Sequence, residues 1–261
     1  KSIFCFNNNI FILTITMDLF TLWIGKLNPI SRICIKSWLL LGYKPTIYVD
    51  LLDYDNELNN DNIILKDYRD IMAGDPEDIL PFSDLWRYTR LFKLGGTWVD
   101  ADMYLLKMLP DTPTIISSER TCLKGAYKRT IEEIPNIGVL RLPAGDLLLK
   151  ECIDKIQKRK TKNIKINSNM FVFQKLLLKK YINYPIYPAI DFCPVNWSNI
   201  KDLYHSDIFI SKYGKKVNQI DEILENAYGI HLWEQLSIKK YKINFDKVNE
   251  NSLFHYLKNN V

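Results

Sequence analysis

The sequence predicts an α/β fold with a Rossmann-like, mostly parallel central sheet flanked by helices, and three observations carry that prediction. Between residues 19 and 50 an apolar strand, a capped helix and a second apolar strand follow one another, which is the βαβ unit of a parallel sheet. A later helix runs into the diglycine Gly95–Gly96 and opens at once into another apolar strand. The second half of the chain alternates less regularly and is punctuated by proline, which predicts an irregular C-terminal half on the same core.

The elements follow in order. "LFTLWIG" (19–25) is short, apolar and aromatic and ends in glycine, as a buried strand does. Asn28 then offers an N-cap and Pro29 the first helical position. Ile30, Ile33, Ser37 and Leu40 keep a helical period that Gly42 closes. "KPTIYVD" (44–50) is the next strand. Beyond the acidic stretch 50–61 and the turn-rich "AGDPEDILP", Ser83 is expected to cap a helix from Asp84 to Leu94 that stops at Gly95–Gly96. "TWVDADMYLLKML" reads as one strand with two aspartates in its middle, and "TPTIISS" (112–118) as another. "IPNIGVLRL" is a further strand, followed by a turn at Pro143–Ala144–Gly145 and an amphipathic helix. Residues 169–182 form a helix, and "YPIYPAIDFCPVNW" a loop or edge strand. "AYGIHLWEQLS" (227–237) is a short strand running into a loop, and "NSLFHYLKNN" a closing helix. We expect residues 1–18 to be an extension, too interrupted by asparagine for a spanning helix, with Met17 as an alternative start. Residues 19–261 then form one domain.

With 47% hydrophobic and 25% charged residues the composition is that of an ordinary globular protein. The net charge of +5 is mild, and there is no zinc-finger spacing, ribonucleoprotein signature or basic region with heptads, so nucleic acid is not an expected partner. The basic run "KIQKRKTKNIK" (155–165) reads as a solvated helix end, with peripheral contact to an anionic membrane as its functional alternative. Five scattered cysteines without a CxxC argue against a disulfide framework or zinc site and favour a reducing, cytoplasmic location.

Asp100 and Asp102 carry the chemistry. On an extended strand residues two apart share a face, so both carboxylates would meet at one place. A divalent cation is the simplest partner that stabilises both, and a hard oxygen set suits Mg²⁺ or Mn²⁺ bridging to phosphates. A lone D-x-D is common on surfaces, but this one follows a diglycine at a strand end. In the preceding helix Asp84 and Arg87, three residues apart, share a face. Taken singly they are a first-turn charge and its ion-pair partner.

Together, Ser83, Asp84, Arg87, Tyr88, Leu91, Gly95, Gly96, Asp100 and Asp102 form S-D-x-x-R-Y-x-x-L-x-x-x-G-G-x-x-x-D-x-D. This run resembles the signature of DXD-containing glycosyltransferases of the Och1-like and Gb3-synthase-like type, and more distantly the catalytic domains of clostridial glucosylating toxins. "LWIGKLNP" (22–29) is similar to that family's opening strand and "GIHLWEQLS" to its closing H-x-W segment. The resemblance implies a GT-A fold and a metal-dependent hexosyltransferase. Such an enzyme moves a sugar from a UDP- or GDP-sugar to a glycan, lipid-linked or protein acceptor, with retention of anomeric configuration, as in polysaccharide biosynthesis. It also implies roles: Trp23 stacks on the nucleotide base, and Asp84 and Arg87 hydrogen-bond donor-sugar hydroxyls. Asp100 contacts the ribose and the metal's water shell, and Asp102 binds Mn²⁺ or Mg²⁺ directly. His231, a further metal ligand, and Trp233 close over the diphosphate. Glu234 departs from the Asn or Ser common in relatives, and no residue between 120 and 220 is assigned a role.

Two other readings compete. A haloacid-dehalogenase-type phosphotransferase also uses D-x-D after a strand, but Met103 and Tyr104 follow here, no later acidic pair is evident, and the Ser-Asp-x-x-Arg helix has no place in that scheme. A non-catalytic sugar- or nucleotide-binding module would keep the fold, but such modules commonly lose a metal aspartate first.

Overall fold

The computed structural model describes residues 3–6, 9–12, 18–124, 129–160, 169–205, 209–210, 216–217 and 220–261. Part of the basic run, 161–165, therefore lies outside the described residues, as does half of the expected extension. Strands β1 (Ile3–Phe6) and β2 (Asn9–Ile12) pair antiparallel with each other.

The expected βαβ unit is present. Strand β3 (Leu19–Leu22) leads to helix α1 (Pro29–Leu40) and then to β4 (Thr46–Val49), parallel to β3. Asn28 caps α1 as expected, its side chain accepting the N–H groups of Ile30 and Ser31 while Ser31 Oγ accepts the Asn28 N–H. Next come β5 (Ile64–Asp67), α2 (Ile79–Leu94) and β6 (Thr97–Val99). Helix α2 starts earlier than the sequence suggested. Asp78, also an N-cap residue type, takes the Leu80 N–H, and Ser83 lies inside the helix with its hydroxyl on Leu80 O. Gly95 ends it at φ 68°, as expected.

Strands β7 (Met103–Leu105), β8 (Ile115–Lys124) and β9 (Arg129–Arg141) follow, then α3 (Leu147–Lys160), α4 (Met170–Lys179), α5 (Ala189–Phe192) and α6 (Asp202–His205). Strands β10 (Phe209–Ile210) and β11 (Lys216–Val217), helix α7 (Ile220–Asn226), β12 (Gly229–His231) and α8 (Leu253–Asn259) complete the chain.

The central sheet has the order β5-β4-β3-β6-β9-β8, parallel from β5 to β6 and antiparallel beyond. Its inner strands are buried on both faces, and the two-residue alternation sorts their side chains cleanly. Phe20, Leu22, Tyr48 and Trp98 enter the core shared with α2, α3 and α4. Leu19, Ile47, Val49 and Val99 enter the core shared with α1. A third cluster joins α1 to α6, α8 and β12.

Two features of this topology locate the site. The chain winds from β3 out to β5 and then crosses back to place β6 on the other side of β3. The strand order therefore reverses between β3 and β6, and in open α/β sheets ligands bind outside the carboxyl ends at such a switch point. Trp23 follows β3 and Asp100 follows β6 at that edge. The second feature is a correction: residues 97–109 are not one strand. β6 ends at Val99, Asp100 to Asp102 make a turn closed by the Met103 N–H on Asp100 O, and β7 leaves the sheet. Strand β7 packs on α1, with Trp38 Nε1 on Met103 O at 2.8 Å and the Leu105 N–H on Ser37 Oγ at 3.0 Å. It pairs antiparallel with β12. Among the described residues no helix is long and apolar enough to cross a membrane.

Candidate active site

The two aspartates converge through the turn between β6 and β7. The β7–β12 register brings in the third member, setting His231 opposite Met103, and the Leu232 N–H closes onto Asp102 O at 2.9 Å. One donor atom from each of Asp100, Asp102 and His231 then lies within 4.8 Å of the others. His231 Nε2 is 3.2 Å from Asp102 Oδ1 and 3.9 Å from Asp100 Oδ2. The side chains of Asp100 and Asp102 are 22% and 16% exposed while that of His231 is 7%, so the carboxylates face the opening and the imidazole backs them.

Each aspartate has fixed neighbours. Asp100 Oδ1 accepts Trp98 Nε1–H at 2.6 Å and pairs with the Arg87 guanidinium at 3.0 Å. Its backbone N–H reaches Gly138 O at 2.7 Å. Asp102 Oδ2 accepts the Glu234 N–H at 2.8 Å. Burial pushes the Asp100 carboxyl above its ordinary pKa, more than the Arg87 charge pulls it down. At Asp102 burial also pushes upward, but the His231 charge, its hydrogen bond and the Glu234 N–H together hold the carboxyl below the ordinary value. Burial alone would depress the His231 imidazole, and Asp102 reverses that, raising it well above the ordinary histidine value. Cys193 Sγ stands 3.9 Å from the other ring nitrogen, Nδ1.

Helix α2 supplies the cation. Arg87 is buried, with Nη1 on Ile137 O at 2.6 Å and its guanidinium 4.2 Å above the Trp98 ring. Asp84 lies 3.9 Å away on the same helix face, as the i,i+3 spacing implies. Its Oδ2 also accepts the Asn169 N–H at 2.9 Å, so a carboxylate from α2 caps the start of α4, where Asn169 makes no side-chain cap of its own. Both groups are held by protein partners in this arrangement.

Trp233 covers the imidazole, its ring 4.0 Å from that of His231 and nearly parallel to it. It adopts φ 51°, a left-handed conformation costing on the order of 1 kcal/mol outside glycine, of the kind that collects at functional sites. The turn folds the indole back on His231, fixes it through Nε1–H on Val195 O at 3.1 Å, and aims the Glu234 N–H at Asp102. The Glu234 side chain points elsewhere, accepting Asn28 Nδ2–H at 3.3 Å. Trp23 stands at the same sheet edge without a hydrogen bond or ring contact to the aspartates among the described residues. Its indole Nε1 is buried with no hydrogen-bond partner among the described residues.

The sequence reading missed Trp98, Asn136, Gly138, Asn169 and Cys193. Trp98 was accessible, since it precedes Asp100 by two on a strand and so shares its face. Gly138 inside a strand pattern was a signal for a bulge. The partners of Asn169 and Cys193 come from distant segments, and local pattern does not announce them.

Two carboxylates and an imidazole, open on one side and backed by a buried guanidinium, can hold a divalent cation. The oxygen-rich donor set fits Mn²⁺ or Mg²⁺, with His231 as the nitrogen ligand. Comparison with known proteins bears on what such a site serves. Residues 179–260 match a family model described as the alpha 1,4-glycosyltransferase conserved region, which spans His231 and Trp233. That stretch does not overlap the motif at 83–102, so two separate parts of the chain point to the same class. A search of curated proteins found no match. Among the 25 matching chains of solved structures is "PaToxG Glycosyltransferase", 15% identical, covering 67% of this chain and 71% of that one, with a TM-score of 0.43. Over residues 179–260 the chain is thus similar to a glycosyltransferase family of the kind and enzyme class that the motif at 83–102 led us to expect.

Proposed function

We propose that this glycosyltransferase takes a sugar from a UDP- or GDP-sugar, with Mn²⁺ or Mg²⁺ held by Asp100, Asp102 and His231, and passes it with retention of configuration to a glycan, lipid-linked or protein acceptor. The observation that carries the reading is the convergence of the Asp100, Asp102 and His231 donor atoms at the switch-point edge of the sheet, from segments that a single strand pairing brings together. A bound divalent ion there would stabilise the charge that develops on a departing nucleoside diphosphate.

The protein's own residues do the rest. Before an ion binds, Asp102 is kept ionised by the His231 charge and the Glu234 N–H, and His231 would give up its proton to serve as a ligand. Asp100 is oriented by Trp98 and Arg87, whose buried positive charge also offsets negative charge brought by the donor. Trp23, which follows β3 at that edge, stacks on the base. Trp233 and His231 wall the diphosphate side. Asp84 and Arg87 border the sugar. On the acceptor side, exposed Lys155 belongs to the basic run through which we propose peripheral contact with an anionic membrane, and cytoplasmic work on a membrane-borne acceptor fits that contact.

The test is nucleoside-diphosphate release from a panel of UDP- and GDP-sugars with Mn²⁺, beside an Asp102→Asn control. Metal-dependent release that the control loses establishes the reading and names the donor. No release and no calorimetric binding of any donor would overturn it. Binding without release under every acceptor offered would instead support the non-catalytic module.

A further inference from the structure

We infer that Glu119 and Asn136 form a positioning relay that sets Asp100 and Arg87 through an expanded bulge in β9; this rests on the function proposed above for those two residues. The strand pairing shows the bulge. Ile116 pairs with Leu140 and Ser118 with Pro135, so Ser117 alone stands opposite Asn136, Ile137, Gly138 and Val139. Bulges of this kind re-aim backbone groups beside active sites. Here two of the displaced carbonyls serve the site directly, Ile137 O receiving Arg87 Nη1–H at 2.6 Å and Gly138 O receiving the Asp100 N–H at 2.7 Å.

The bulge is held from behind by side chains that make no hydrogen bond to either group among the described residues. Ser117 Oγ accepts the Val139 N–H at 3.1 Å and lies 3.0 Å from Asn136 O. Asn136 Oδ1 accepts the Gly138 N–H at 2.6 Å, and Asn136 Nδ2–H donates to Glu119 Oε2 at 2.5 Å. The order is therefore Glu119, Asn136, Gly138, Asp100, each link a hydrogen bond and the first three residues deep in the protein, with Glu119 9% and Asn136 4% exposed. A carboxylate is rarely buried to this extent without a charged partner, and among the described residues Glu119 receives an amide and the distant influence of His231. Apolar residues of the same size would bury there at lower cost. Position 138 is equally constrained, since a Cβ would meet Asn136 Oδ1 at 2.8 Å and Asp100 Oδ2 at 3.4 Å. Glu119 fixes the amide orientation of Asn136, with Oδ1 forced towards Gly138, and Gly138 then presents its carbonyl to Asp100.

The experiment compares wild type with Glu119→Gln, which keeps an acceptor for the Asn136 amide, and Glu119→Leu, which keeps volume and removes it. Gly138→Ala is the second disruption should the leucine variant not fold. Hydrogen exchange at the Asp100 amide is read without metal, Mn²⁺ affinity by electron paramagnetic resonance, and kcat and KM with the donor found above. The relay predicts faster Asp100 exchange and about 10- to 100-fold weaker Mn²⁺ binding, as for the loss of other supporting contacts around metal ligands. It also predicts a fall mainly in kcat for Glu119→Leu and Gly138→Ala, with Glu119→Gln close to wild type. Unchanged Asp100 exchange in Glu119→Leu and Gly138→Ala overturns the relay, and so does a glutamine variant as impaired as the leucine one. Wild type that binds no Mn²⁺ while Asp100 exchange responds as predicted overturns the metal reading and supports the relay.

Discussion

Arg87 and Arg90 sit three residues apart on α2, and at first sight they are the same device. Both are buried, both lie flat over an aromatic ring (Trp98 at 4.2 Å, Phe20 at 4.0 Å), and both pair with an aspartate just outside a strand. They face opposite ends of the parallel strands. Arg90 points to the amino-terminal edge, where its Nε–H reaches the Tyr48 hydroxyl, Nη1–H the Gly95 carbonyl and Nη2–H Asp18. All three of its nitrogens have partners. Arg87 points to the carboxyl-terminal edge, holds one bulge carbonyl and Asp100, and has no partner for its buried Nε–H among the described residues. A cation whose hydrogen bonds are complete clamps a fold. One that is left incomplete, beside carboxylates opening to solvent, is arranged for something that arrives later.

That contrast can be tested by substitution, taking the strongest effect on turnover first. Asp102→Asn removes a direct donor at the Arg87 end, and donor turnover should fall at least about 100-fold, beyond what the loss of a supporting contact costs. A steady-state assay with saturating Mn²⁺ reads this, and wild-type turnover would erase the functional half of the contrast. Arg87→Lys keeps the charge but loses the planar fork that spans Ile137 O and Asp100. We expect kcat lower by about 10-fold with a melting temperature within a few degrees of wild type, by calorimetry and kinetics on one preparation. Arg90→Met should do the reverse, costing about 3 kcal/mol in urea unfolding, the lower end for breaking a buried pair because Asp18 is half-exposed and can rehydrate. Its turnover per folded molecule should stay within about 2-fold of wild type, since no contact of Arg90 reaches the aspartates. If instead Arg90→Met lost turnover while staying folded, the two ends of α2 would not be separable. The smallest effect belongs to Asn28→Ala, which removes the α1 cap for about 1 kcal/mol, measurable as a shifted urea midpoint at unchanged slope.

Much of the Arg87 end could be read in advance. The βαβ pattern, the diglycine stop and the D-x-D after a strand located the sheet edge, and the i,i+3 spacing of Asp84 and Arg87 gave their shared face. Boundaries were less secure, because Asp78 and Ser83 are both competent caps, and the helix takes the earlier one with Phe82 packed against the core. The two aspartates were expected on a strand and lie in a turn. Their convergence survives the change because β7 is held to α1 by Trp38 and Ser37, contacts that run across the chain. His231 was chosen by resemblance, and its placement depends on the β7–β12 register, a long-range pairing that local periodicity does not encode. Trp98 and Gly138 were the overlooked local signals.

The β7–β12 pairing has a consequence for how the protein comes into being. The candidate metal donors lie at residues 100, 102 and 231, and the strand that unites them is synthesised long after the two aspartates. Closing so long a loop carries an entropic cost that only the finished pairing returns. A nascent chain can therefore build most of its sheet while still unable to grip a divalent ion. On the function proposed above, ion binding would then wait for β12, and a chain that stalls before Gly229 would lack the third donor even where its motif at 83–102 is intact.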